Sequence, residues 1–164
     1  MLFKKYTLLI KKKRIKNFKK QNEMREINKI IVHCTATPEG RHTTVEDVRQ
    51  WHLDRGWSDI GYHFLIYLDG SLHEGRPIER AGAHCKGHNK ESIGIAYVGG
   101  IDKVNFKPKD TRTEEQKETL VHILEYLKIQ HADAVIHGHN DFSDKACPSF
   151  NATKEYENIT NMWK

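Results

Sequence analysis

The sequence has no apolar run near the eighteen residues that a membrane-crossing helix needs, so nothing in it reads as a span. It has only three cysteines, Cys34, Cys85 and Cys147. That odd set excludes a disulfide framework and points to a reducing compartment or to thiols kept for chemistry. No internal repeat and no linker divides residues 25–164. The 164 residues amount to one domain, long enough to bury a core without covalent staples.

Acidic residues are missing from the first twenty positions, "MLFKKYTLLIKKKRIKNFKK", which hold nine of the 27 Lys and Arg. The other 144 residues therefore carry 18 positive and 22 negative side chains, a net of −4, although the whole chain is at +5. The basic character belongs to one segment and not to a nucleic-acid-binding face. Residues 1–24 are expected to form a solvated, disordered tail. Contact with anionic polymers or a charged surface is the alternative, and Met24 offers another start. The apolar stretch "YTLLI" is too short for a signal-peptide core and runs straight into lysines, so export by that route is not expected.

What is present reads as strands interleaved with helices, an α/β layer pattern. "NKIIVHC" at 28–34 has the β-branched apolar core of a buried strand. Thr44 caps a helix expected over 45–55, with Val45, Val48, Trp51 and His52 facing inward and Gly56 ending it. "YHFLIYL" at 62–68 is a strand, and "DGS" turns it into a short partner at 71–75. "SIGIAYVG" at 92–99 is a third strand. Thr113 with Gln116 makes a capping box for a helix running to about His131, with Leu120, Ile123, Leu124 and Leu127 as its apolar stripe. "DAVIHG" at 133–138 is a last strand, and a helix from about Lys154 is expected to pack Trp163 down.

Chemistry concentrates at strand ends. Alternation puts His33 on the face of Ile31 and Cys34 on the face of Val32, so these neighbours cannot easily hold one ion together. In "HGHNDFSDKACPSF", His139 and Cys147 flank a run of turn formers that lets the chain double back. Two imidazoles and a thiolate make a three-ligand zinc shell with one position open to water, the pattern of a catalytic rather than a structural site. His137 is an alternative to His139. Cys147 also reads as an inert buried thiol or as a nucleophile beside a histidine. Lys145 is placed to meet an oxyanion, or is a solvated surface lysine. Tyr62, at a strand start, either orients water or packs in the core. His84 and His88 precede a strand in a loop that either lines a groove or faces solvent. His42 and His73 have no evident partner.

The segments "IIVHCTAT", "RQWHLDRGWSDIGYHFLIYLDGSLHEGR", "HNKESIGIAYVGGID" and "HNDFSDKACPSF" together, in this order, resemble the type 2 N-acetylmuramoyl-L-alanine amidases, the family that includes the peptidoglycan recognition proteins. The resemblance covers roughly residues 26–152 and implies a central mixed β-sheet flanked by helices, with a zinc site in a surface cleft. It implies that His33, His139 and Cys147 are the metal ligands, with His139 chosen over His137, and that Tyr62 and Lys145 are catalytic. Residues 25–164 would then be the zinc amidase domain. Its reaction would be hydrolysis of the amide joining the lactyl group of N-acetylmuramic acid to L-alanine in peptidoglycan. The protein is expected to be a monomer with a peptidoglycan substrate, no nucleic-acid partner and no membrane span, made in the cytoplasm and acting on the cell wall. A non-catalytic peptidoglycan-binding module is the competing expectation, because part of that family lacks the cysteine.

Overall fold

The computed structural model describes residues 25–162, so the expectations for residues 1–24 and for Trp163 lie outside the described residues. The elements are β1 (Lys29–Cys34), β2 (Thr37–Pro38), α1 (Val45–Leu53), β3 (Phe64–Ile66), β4 (Leu72–Glu74), β5 (Ser92–Tyr97), β6 (Gly100–Ile101), α2 (Glu114–Gln130), β7 (Val135–Gly138), α3 (Ala152–Glu155) and α4 (Glu157–Thr160). Five strands form one sheet in the order β4-β3-β5-β1-β7. Only β4 runs antiparallel, so the sheet is mixed, as expected. A second, two-stranded ladder joins β2 to β6.

The central strands are apolar because both sheet faces are covered. On one face Ile30, Val32, Ile93, Ile95 and Tyr97 meet Leu120, Ile123, Leu124 and Leu127 of α2, together with Ala152 and Tyr156. Each such aliphatic side chain contributes about 1.5–3 kcal/mol by leaving water. On the other face Leu65, Ala96 and Val98 meet Val45 and Val48 of α1. Both helices start where their caps say. Thr44 with Asp47 and Thr113 with Gln116 each form a reciprocal capping box. Gln116 also reaches into the sheet, where its Nε2 donates to the carbonyls of Ile66 and Val98 at 3.2 and 3.0 Å.

Three elements differ from expectation. The ladder of β3 covers only 64–66, because Tyr67 already bonds Ser71 across the hairpin turn and Tyr62 lies before the first rung. Helix α1 stops at Leu53, short of 55, and Gly56, at φ +82°, closes the turn beyond it. The C-terminal helix is two short ones, parted at Tyr156.

Candidate metal centre

The site begins with a hollow in the sheet. On the α1 side β5 presents only Ser92, Gly94 and Ala96, and His33 lies level with Ala96 in the neighbouring strand. These small side chains leave room for imidazole rings. His33 fills part of that room and is 1% exposed.

Parallel pairing brings the second histidine to the first. Gly138, the last residue of β7, lies level with Val32, so the chain that leaves β7 delivers His139 beside His33. Their ring centroids are 4.6 Å apart. Cys147 arrives on the turn-rich loop, whose far end is pinned. Tyr97 donates its hydroxyl to the Pro148 carbonyl at 2.6 Å, and Ser149 donates to the Gly100 carbonyl at 2.9 Å. Cys147 Sγ then sits 3.7 Å from His33 Nδ1 and accepts the Cys34 backbone N–H at 3.3 Å. The donor atoms of His33, His139 and Cys147 all lie within 4.8 Å of one another.

The donor set suits a borderline-soft divalent ion. Burial, with His84, His139 and Lys145 nearby, holds the His33 pKa well below its usual range. Burial and then Lys145 lower that of His139. Both shifts favour the neutral imidazole, the form that offers a lone pair. The Cys34 side chain and burial push the Cys147 thiol up, so its proton leaves when a cation takes its place. His137 is not in this group. It bonds Asp141 Oδ2 at 3.1 Å and packs against Phe142.

Tyr62 stands against His33 with ring centroids 5.1 Å apart and against His52 at 5.5 Å. Burial and then the Cys147 and Cys34 thiols push its hydroxyl above its ordinary range, so it stays protonated. Lys145 is exposed on the rim of a 350 Å³ cleft lined also by Trp57, His84, His139, Phe142 and Ser143. Its charge is felt by both His33 and His139. A larger cavity of 470 Å³, between β7 and α3, is lined by none of the five candidate residues.

The sequence left His84 between groove and solvent. It is buried on the cleft wall and its Nδ1 lies 2.9 Å from His33 Nε2. His88 instead meets Glu91 and Phe142. His73 stacks on Tyr67 at 3.7 Å. The approach of Cys34 to Cys147 had no sequence signal, since strand alternation turns Cys34 away from His33.

The model of a family described as "N-acetylmuramoyl-L-alanine amidase" matches residues 23–150. The endolysin of Klebsiella phage KP32 is 42% identical over 132 residues, covering 80% of this chain and 87% of that protein. The endolysin of Escherichia phage T7 is 40% identical over 133 residues, covering 78% and 84%. Among solved structures, the N-acetylmuramoyl-L-alanine amidase LysC from Clostridium intestinale URNW superposes with a TM-score of 0.69 at 29% identity, covering 87% of this chain and 89% of that one.

Proposed function

Because the chain belongs to the N-acetylmuramoyl-L-alanine amidase family, we propose that it hydrolyses its peptidoglycan amide with one zinc ion held by His33, His139 and Cys147. The chain is an enzyme of peptidoglycan breakdown and not the bare binding module that its sequence left as the alternative. The bond cut joins the lactyl carbonyl of N-acetylmuramic acid to the amine of L-alanine. The observation that carries the metal reading is the convergence of three donor atoms, from a strand and a loop more than a hundred residues apart, beside an open cleft.

Bound zinc would supply a Lewis acid and a water of lowered pKa in its remaining position. The protein's own groups do the rest. His33 and His139 contribute neutral nitrogen donors, and the Cys34 N–H steadies the Cys147 sulfur. Tyr62, held protonated, donates a hydrogen bond that orients the attacking water or the tetrahedral oxygen. Lys145 brings a positive charge from the rim to the oxyanion that develops on the lactyl carbonyl. The cleft receives the muramoyl-peptide and limits the approach of competing water.

The test pairs metal analysis of the purified protein with mass analysis of what it releases from purified peptidoglycan. One zinc per chain and free stem peptides beginning with L-alanine are expected. Full activity after exhaustive chelation would overturn the metal reading, and released disaccharides would overturn the bond assignment.

A further inference from the structure

We infer that His84 is a positioning residue for the metal site, and that a one-way chain of hydrogen bonds ending on the His88 backbone carbonyl fixes which nitrogen His33 offers. The inference rests on the metal-site reading above and extends it to a residue outside the three metal donors.

The direction of the chain can be worked out from its far end. A carbonyl can only accept, so the Ser92 hydroxyl, 2.6 Å from the His88 oxygen, must donate to it. That donation leaves the Ser92 oxygen as an acceptor for His84 Nε2, 3.3 Å away. A neutral imidazole with its proton on Nε2 has a bare Nδ1. His84 Nδ1 lies 2.9 Å from His33 Nε2 and therefore accepts from it. His33 is left with its proton on Nε2 and its lone pair on Nδ1, the nitrogen that faces Cys147 Sγ at 3.7 Å. A hydrogen bond to the second nitrogen is how proteins set the tautomer and orientation of a ligating histidine.

The pocket is shaped around the His84 ring. A Cβ at Gly94 would lie 2.5 Å from His84 Cγ, and one at Gly82 would lie 2.5 Å from His84 Cδ2. Only glycine lets β5 and the 81–83 segment close on the imidazole from both sides. The loop that carries the ring is pinned too, since the backbone N–H groups of His84 and Cys85 both donate to Asn89 Oδ1, at 2.8 and 2.9 Å. The packing holds the ring in its plane, and the two hydrogen bonds place Nδ1 toward His33 and Nε2 toward Ser92.

The test is zinc affinity, read by competition with a chromophoric chelator, alongside circular dichroism as a check of folding. H84L keeps bulk and removes the acceptor, so affinity should fall about 10–100-fold. H84N places an amide oxygen where Nδ1 was and should recover most of that loss. The zinc-loaded wild type gives a readout that needs no variant. Two-bond proton–nitrogen correlation spectra should show His33 and His84 each protonated on Nε2. A folded H84L that binds zinc like the wild type overturns the inference, as does a His33 protonated on Nδ1. Should H84L fail to fold, the nitrogen spectra decide alone. A wild type that binds no zinc would instead sink the metal site itself, so the two failures are distinct.

Discussion

Zinc binding should release between one and two protons per chain over pH 5.5–6.5. The perturbation is pH, and the count follows from the state of each donor before the ion arrives. His33 and His139 are held below their ordinary range, first by burial and also by the nearby Lys145 charge, so they carry less charge than free imidazoles and give up fewer protons. Cys147 is held above its ordinary range by the Cys34 side chain and burial, so it arrives as a thiol and gives up one proton. Affinity should therefore rise at least about tenfold across that unit of pH, or at least about 1.4 kcal/mol. The sign is fixed, because protons compete with zinc chiefly at sulfur and competition weakens as pH rises. With ordinary values, near 6.5 for each histidine, the pair would be largely charged at pH 6 and the release would exceed two protons. The window stays below about pH 7, where a zinc-bound water adds its own release. Calorimetry in two buffers of different ionisation enthalpy counts the protons directly. A release near zero would mean a preformed thiolate, and a release above two would mean charged imidazoles. Either result refutes the electrostatics described for the site.

The K145A variant should keep its zinc and lose about 10²–10³-fold in kcat, measured on purified peptidoglycan, and an unchanged kcat would make this lysine mere surface. Tyr62→Phe preserves the ring against His33 and His52 but removes the donor, so turnover should drop about 10²-fold with zinc affinity intact. Gln116→Leu strips a partner from the Val98 carbonyl and the Thr113 N–H, at about 1–3 kcal/mol each, and urea unfolding should show a loss of about 2–6 kcal/mol. Deleting residues 1–20 removes nine positive charges and leaves a net of −4, so wall hydrolysis should persist while binding to a polyanion column disappears.

Much of this fold was legible because its signals are local. Thr113 with Gln116 announces a helix start within four residues, and the apolar core of "KIIVHC" announces a buried strand. The length of β3 was not legible, since "YHFLIYL" has strand-forming residues throughout and only the hairpin partner decides where pairing stops. Strand order has no local signal at all. The choice between His137 and His139 was open on periodicity, because both would share a face if the strand ran on. Pairing with β1 ends at Gly138, and the turn that follows swings His139 out of the ladder toward His33. His84 was noticed only as a loop histidine. Its contact with His33 spans 51 positions and depends on two glycines whose spacing in the sequence says nothing about the ring they admit.

The first strand and the last long loop share one pocket, and that has a consequence for the chain while it is being made. β1 can pair with β7 only after some hundred intervening residues have been added, and Cys147 follows later still. A nascent polypeptide halted anywhere short of that cysteine holds at most two of the three donors. With zinc held as proposed, the hydrolase is silent through most of its own synthesis, and any fragment clipped upstream of Cys147 is silent for good.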